Sequence, residues 1–559
     1  MRTRPFAWEK SYPEGLKWDH PLPIGSVPSL LQEAAAKVPD RDVICYRDWT
    51  ISYGDLQKRV DKFAAACIAA GFTDGKRIAL LLPNSPFHPI ALLGLLKAGA
   101  RAVHLSPLDA EREIVHKLTD SGAIAIVTTN VGPMAANAHE QARAGRVGKI
   151  IVGDDNDFGP SQVATPFPKH ESVINFNDFC DRAESVSDWP EIKPEDIALL
   201  QYTGGTTGLP KGAMLTHGNL TSAVSSYNCW FDALYGEPDE VEKILVVLPL
   251  FHIYALTAVM LLGFKRHGTL ILHLRFDAEH VLNDIEKIGI TSFPGVPTMW
   301  IALANNPGLA KRNISSLARC SSGGAPLPVE IEQRFEKLTG VRLTGGWGMT
   351  ETSPAGTNRL PFGMAKPGSI GLPLPGIDLK IVSLDDPTKT LGIGEKGELA
   401  ICGPNVTSGY WEKPEATAQS YADGFFLTGD VGMMDKDGYF YIVDRKKDMI
   451  ISGGFNVYPQ MIEQAIYEFP PVGECIVIGV ADEYRGEAAK AYLTLKPGAA
   501  EFSLDELHAF LADKLGRHEL PRALEFRETL PRTSVGKLSR LELRREAQNI
   551  PAASTAAAD

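Results

Sequence analysis

Residues 202 to 212 read YTGGTTGLPKG, four glycines, three threonines and a lysine in eleven positions, directly after the apolar run IALL at 197 to 200. A glycine-rich turn behind a buried strand presents successive backbone N–H groups. Hydroxyls and an ammonium add further donors, and the set suits a chain of phosphate oxygens. The P-loop pattern G-x-x-x-x-G-K-[ST] does not occur, because Lys211 stands between Pro210 and Gly212. A second glycine segment, GIGEKG at 392 to 397, matches G-x-G-x-x-G. It precedes the strand pattern GELAICG instead of following one, and no helix opens behind it, so it reads as a surface turn.

The elements that must carry this cradle are visible as apolar runs: RIALLLP (77 to 83), AIAIVTT (123 to 129), KIIVG (149 to 153), IALLQYT (197 to 203), KILVVLPL (243 to 250) and GTLILH (268 to 273). Helix-length segments such as HVLNDIEKIG and VEIEQRFEKLTG lie between them, which predicts an α/β body of parallel sheets covered on both faces. From about Gly392 the texture changes to turn-bounded strands, and MMDKDGYFYIVDR carries an Asp-Gly turn inside an alternating pattern, a hairpin signal. After Arg445 the order is helix, strand, strand, helix, strand, a compact α+β unit of about 110 residues. In it Ser503 and Glu506 form a capping-box pattern ahead of a helix whose Leu504, Leu507, Phe510, Leu511 and Leu515 share one apolar face, read as core.

A chain of 559 residues is too long for one core at roughly 150 residues per domain. Apolar residues at 44% and charged residues at 22% are ordinary for a globular protein. The longest apolar stretches, such as ALTAVMLLGF at 255 to 264, fall short of the roughly 18 residues of a spanning helix. The N-terminus shows no apolar segment of the kind that marks a secretion signal, and the seven cysteines never form C-x-x-C. A cytoplasmic setting is expected, with no disulfide framework or zinc site. The net charge of −12 argues against nucleic acid and requires that a polyanion be met by a local cluster of cations. A homodimer and peripheral membrane contact stay open.

Five segments in register carry a resemblance. YTGGTTGLPKG, WGMTE (347 to 351), FLTGD (426 to 430), DRKKDMIISGGFNVYP (444 to 459) and PRTSVGKL (531 to 538) resemble the motifs of the adenylate-forming family, which includes acyl-CoA synthetases, firefly luciferase and peptide-synthetase adenylation domains. The similarity covers nearly the whole chain. The phrases LQYTGGTTG, GAMLTH, IVDRKKDMI and GFNVYP are most similar to bacterial long-chain fatty-acid CoA ligases. The resemblance implies a large N-terminal domain over 1 to 444 with a small β-rich subdomain, a hinge at 445 to 448, a mobile C-terminal domain over 449 to 549, and a disordered tail at 550 to 559. It also implies two half-reactions: a carboxylate attacks the α-phosphorus of ATP to give acyl-AMP and pyrophosphate, then the thiol of coenzyme A displaces AMP.

Two unit charges about 4 Å apart interact by about 1 kcal/mol in water and about 4 at an effective dielectric near 20, so cations must be in place beforehand. By resemblance the loop N–H groups of Gly204, Gly205 and Gly208, with Thr203, Thr206, Thr207 and Lys211, hold the phosphates, and Mg2+ takes Glu351 and the Thr203 hydroxyl, hard oxygen donors. Lys537 reaches the α-phosphate and the attacking carboxylate from the small domain. Asp430 accepts from both ribose hydroxyls and Arg445 adds donors. Trp347, where many relatives carry tyrosine, stacks on adenine. Gly348, Met349 and Thr350 follow it in the same motif, and Gly323, Gly324 and Ala325 line the adenine edge. The substitution removes a phenolic hydroxyl and any hydrogen bond it makes in the family.

On the acyl side, LPLFHIYALT (248 to 257) makes His252 the candidate beside the carboxylate pocket, and Gly295, Val296 and Pro297 the candidates for the tail pocket. Peptide-synthetase domains carry an aspartate after this phenylalanine; the chain has FH at 251 and 252, which counts against an amino acid. Lys447 matches the hinge position, and Ser452, Gly453 and Gly454 match the segment that admits the pantetheine arm after the small domain rotates. The expected activity is an ATP-dependent carboxylic acid:CoA ligase for a medium- or long-chain fatty acid. The alternatives are a dicarboxylic or aromatic acid, a carrier-loading enzyme, a luciferase-like oxygenase, or a non-catalytic nucleotide-binding protein, against which the presence of Glu351, Asp430, Arg445 and Lys537 counts. The short tail after Lys537 counts against carrier loading.

Overall fold

The computed structural model describes residues 4–184, 186–203, 209–237, 240–325, 327–361, 366–452, 455–533 and 538–547. Two large sheets form the body. In the first, the strands run Val173–Asn175, Lys149–Gly153, Ala125–Thr129, Arg77–Leu81, Arg101–His104, Ile197–Thr203, Lys211–Thr216, and every pairing but the last is parallel. In the second, Leu343–Trp347, Arg319–Ser322, Ser292–Gly295, Lys243–Val246, Thr269–Leu272 and Asp42–Tyr46 are parallel neighbours, with antiparallel strands added at both edges. The expected parallel-rich α/β body is present.

One apolar cluster runs through both sheets, joining Ile78 and Leu80 to Ile244, Val246 and Leu270. At its centre lies the helix Phe87–Lys97, in which every residue is buried, as a sequence apolar on all sides requires. Its Lys97 is paired to Asp61 at 2.5 Å and lies over the Trp189 ring at 4.1 Å, so the buried charge keeps partners. Each fully buried leucine here contributes about 1.5 to 3 kcal/mol.

Four strands are shorter than their apolar runs, and two of them share a neighbour at their ends. KILVVLPL forms a strand only over Lys243–Val246, and GTLILH only over Thr269–Leu272. The reason is Asn84, whose amide donates to the carbonyls of Val246, Leu248 and His273 while its Oδ1 accepts the N–H of Leu250. One side chain thus replaces the ladder at the ends of both strands and frees the chain to turn toward His252.

A third, antiparallel sheet joins Asp378–Val382, Gly397–Cys402, Phe425–Met434 and Tyr421–Ala422, with Phe440–Arg445 paired to Phe425–Met434 through the anticipated Asp-Gly hairpin. GIGEKG is an exposed turn that leads into the strand Gly397–Cys402. The fourth sheet holds Phe455–Val457, Ile450–Ser452, Gly486–Leu495, Val472–Asp482 and Ala523–Phe526, with its own apolar clusters. Its capping box forms as read, Ser503 Oγ accepting from the N–H of Glu506, although that helix stops at Leu511. The hairpin at 450–457 and the helix Arg540–Ala547 had no sequence signal of their own. At the junction Asp448 is paired to Arg540 and Arg544 at 3.3 and 2.8 Å, and Asp444 accepts the N–H of Gln460 at 2.7 Å.

Gly94 marks where the buried helix crosses Tyr53–Ala69. A Cβ there would stand 2.7 Å from a Phe63 ring carbon and 3.2 Å from the Val60 carbonyl. Gly94→Val is therefore expected to destabilise the protein by about 1 to 3 kcal/mol in denaturant titration, an overpacking cost, and an unchanged midpoint would show that the two helices can separate freely.

Candidate active site

Thr203, Gly295 and Trp347 lie at the carboxyl ends of parallel strands, the edge where open α/β sheets bind ligands, whereas Asp430 and Arg445 come from the antiparallel third sheet. The strand Ile197–Thr203 delivers Thr203 to the start of the glycine-rich segment, and the chain returns antiparallel as Lys211–Thr216, with Thr203 opposite Lys211. A returning strand, not a helix, follows the loop, which is the structural counterpart of the missing P-loop pattern. Gly204, Gly205, Thr206, Thr207 and Gly208 lie outside the described residues, as do Gly453, Gly454, Lys537 and the tail from 550.

Three neighbouring strands of the second sheet end side by side. Ser292–Gly295 leads to Val296 and Pro297, both buried; Arg319–Ser322 leads to Gly323, Gly324 and Ala325; Leu343–Trp347 leads to Gly348, Met349, Thr350 and Glu351. Gly323 donates its N–H to the Gly295 carbonyl at 3.1 Å, which joins the segments expected at the adenine edge and the tail pocket. Gly348 has no room for a side chain, because a Cβ would fall 1.4 Å from the Pro354 carbonyl oxygen. The chain there turns sharply into the short 3-10 turn Thr350–Thr352, closed by a left-handed Ser353.

That turn buries Glu351. Its Oε1 accepts the hydroxyl of Tyr410 at 2.8 Å, and the Tyr410 ring lies 5.2 Å from the ammonium of Lys211. Lys211, Tyr410 and Glu351 thus form a continuous line from the strand after the loop to the motif carboxylate. Burial raises the Glu351 pKa above its ordinary value, an effect the Tyr410 hydrogen bond only partly opposes. Tyr410 was missed in the sequence reading. It sits in PNVTSGYW, 59 positions from Glu351, and its place is set by backbone contacts of this segment with Lys211–Thr216, Met214 N–H to Gly409 carbonyl and Trp411 N–H to Gly212 carbonyl.

A second buried carboxylate lies opposite. Asp430 and Arg445 face each other across the antiparallel pair of the third sheet, with Arg445 Nε 2.6 Å from Asp430 Oδ1. Trp347 reaches over from the second sheet and donates its Nε1–H to Asp430 Oδ2 at 2.7 Å. The tryptophan therefore has a donor at its edge, which answers the loss of a phenolic hydroxyl noted from the sequence. Burial raises the pKa of Asp430, while Arg445 and the Trp347 hydrogen bond pull it down. Glu398, also missed, is buried behind this corner; it accepts the N–H of Gly429 and pairs with Lys446 at 2.9 Å.

His252 caps the short helix Ile253–Ala255. Its Nδ1 accepts the N–H of Tyr254 at 3.3 Å, so the neutral ring carries its proton on Nε2. Gln201, in the strand just ahead of the glycine-rich segment, donates to the Phe251 carbonyl, and the Tyr254 hydroxyl meets Ser321 Oγ at 3.1 Å beside Gly323. His252 is thereby tied to both the phosphate-side strand and the adenine-side strand. Lys447 is exposed in the turn after Arg445, and Ser452 is buried in the fourth sheet, paired to Phe455 and Gly486. Among the described residues no group of three or more His, Cys, Asp or Glu side chains could cage a metal ion. Glu351 and Thr203 supply two hard oxygen donors, which fits a magnesium ion that shares its other ligands with phosphate and water.

The AMP-binding enzyme family matches residues 31–411, and the AMP-binding enzyme C-terminal domain matches residues 461–537. The chain belongs to this family of adenylate-forming enzymes. It is 39% identical to a long-chain-fatty-acid–CoA ligase of Bacillus subtilis over 96% of this chain and 98% of that protein. It is 37% identical to a feruloyl-CoA synthase of an Amycolatopsis species over 91% of this chain and 96% of that one. Among solved structures, O-succinylbenzoate coenzyme A synthetase (MenE) of Bacillus subtilis in complex with ATP and magnesium ion superposes with a TM-score of 0.77 at 28% identity, covering 92% of this chain and 99% of that one.

A carboxyl whose folded pKa is raised favours the folded state below its unfolded value, near 4.5, and that contribution is lost as pH rises through the folded value. Glu351→Gln keeps the shape without the charge. It is expected to melt above the wild type at pH 8 without ligands, with the gap narrowing toward pH 4.5, while turnover falls about a hundredfold or more. Equal melting temperatures at pH 8 would contradict the cost assigned to this buried charge.

Proposed function

We propose that this enzyme is an ATP-dependent carboxylic acid:CoA ligase for medium- or long-chain fatty acids, working through an acyl-adenylate with release of pyrophosphate and AMP. The observation that carries the reading is a set of contacts that joins Thr203 to Lys211, Tyr410 to both Lys211 and Glu351, and Trp347 and Arg445 to Asp430, in a chain 39% identical to a long-chain-fatty-acid–CoA ligase. In this reading the segment 203 to 208 and Lys211 bind the β and γ phosphates. Thr203 and Glu351 would hold Mg2+, which neutralises charge on the triphosphate when bound. Asp430 and Arg445 hold the ribose, Trp347 faces the adenine against Gly323, Gly324 and Ala325, and His252 borders the carboxylate.

The small domain, residues 449 to 549, is assigned a rotation about the hinge 445 to 448 with Lys447 at its centre. One position brings Lys537 to the α-phosphate; the other brings Ser452, Gly453 and Gly454 to the pantetheine arm of coenzyme A. The tie of Asp448 to Arg540 and Arg544 supports motion of the part after the hinge as one body, since it binds the hinge exit to the last helix. We assign the enzyme to the cytoplasm. Its seven cysteines are free, and no helix among the described residues is long and apolar enough to cross a membrane.

An aromatic acid is the second reading, favoured by the feruloyl-CoA synthase relative. Pyrophosphate release across straight-chain acids of graded length, cinnamic-type acids and dicarboxylic acids, with and without coenzyme A, separates the two. A maximum among straight chains of medium or long length is expected, and a maximum on an aromatic acid would overturn the fatty-acid assignment. For the division of labour, Lys537→Ala is expected to lower acyl-AMP formation by about a hundred- to a thousandfold while coenzyme A transfer from supplied acyl-AMP changes little. Equal losses in both steps would reject it.

A further inference from the structure

Trp347 touches Asp430 through its edge, not its face. The indole Nε1–H donates to Oδ2 at 2.7 Å, and Arg445 Nε meets Oδ1 at 2.6 Å. Each carboxylate oxygen offers about two lone-pair sites, so after these contacts one remains on each oxygen. Two acceptors about 2.2 Å apart on one rigid group match a pair of vicinal hydroxyls.

The two donors are unlike. The Arg445 side chain is 43% exposed, and the residue stands at the last position before the turn 446–448. Trp347 is half-buried and belongs to the second sheet. Its backbone N–H donates to Thr357 Oγ1 at 3.2 Å, and its ring leaves so little space that a Cβ on Gly356 would come within 2.5 Å of it. The backbone of Asp430 is held separately, by Thr428 Oγ1 at 3.1 Å and by the strand pairing, so these contacts do not set its side-chain torsion.

We propose that Trp347 is a positioning residue whose indole N–H sets the orientation of the Asp430 carboxylate, so that the free lone pairs meet the 2′- and 3′-hydroxyls of the nucleotide ribose. The inference rests on the nucleotide-binding reading above and adds a polar role at the ring edge to the stacking role of its face. With Trp347 as donor, the carboxylate keeps its direction when Arg445 shifts with the adjoining turn.

The test compares ATP with 2′,3′-dideoxy-ATP, by calorimetric titration, on the wild type, on Trp347→Phe, and on protein carrying benzothienylalanine at 347, which keeps the ring shape and replaces N–H by sulfur. Loss of the N–H is expected to weaken ATP binding about tenfold in both variants, the scale of a hydrogen bond to a charged group, with less than about a twofold change for the dideoxy nucleotide. Equal losses for the two nucleotides would reduce Trp347 to packing or stacking and overturn the proposal. So would unchanged ATP affinity, or a wild type that does not distinguish the nucleotides. Acid-dependent ATP–pyrophosphate exchange by the wild type reports on the ligase reading separately: exchange with equal losses sinks only the positioning role, and ribose discrimination without exchange on any acid sinks only the ligase reading.

Discussion

Two carboxylates, Glu351 and Asp430, are buried in the candidate site of a chain whose family uses polyanionic ATP, and this conflict governs the rest of the site. Burial raises the pKa of both, and the donors assembled around each carboxylate oppose that shift. Tyr410 serves Glu351; Trp347 and Arg445 serve Asp430. With a net charge of −12, the protein surface cannot attract a triphosphate in general, so cations and N–H groups have to be placed one by one. In the proposed function, free energy withheld from stability in this way is available for binding at Glu351 and Asp430.

Placement depends on how the sheets end. Parallel strands finish at one edge of a sheet, so segments far apart in the chain open onto the same space. Gly295, Gly323 and Gly348 lie at or just beyond the ends of adjacent strands, and the lack of side chains lets backbones approach where a Cβ would meet Trp300, Tyr254 or the Pro354 carbonyl. Asn84 does comparable work where Lys243–Val246 and Thr269–Leu272 end, donating its amide N–H groups to the carbonyls of Val246, Leu248 and His273 as the first of the two strands leaves the sheet toward His252.

The third sheet brings Asp430 and Arg445, and with them the start of the small domain. Arg445 therefore has two connections, one to the carboxylate and one, through the turn after it, to Asp448 with its arginine partners. Lys446 adds a third link, pairing with Glu398 behind the Gly429 corner. The proposed nucleotide site and the proposed hinge share these few residues, so a change in one is expected to be felt by the other.

The sequence by itself determined the α/β class, the order of the motifs and the kinds of group on offer: an N–H-rich segment after a buried strand, isolated acids, and a lysine in each of the motifs YTGGTTGLPKG and PRTSVGKL. Those properties are local, set by periodicity and by neighbours a few positions apart, so they can be read along the chain. Only the tertiary structure decided which groups meet. Tyr410 finds Glu351 across 59 positions through backbone contacts of its segment with Lys211–Thr216, and Trp347 finds Asp430 across 83 by reaching from the second sheet to the third. No spacing rule encodes such pairs, because the distance between them is set by how side chains fill the space between sheets, a property of the packed whole.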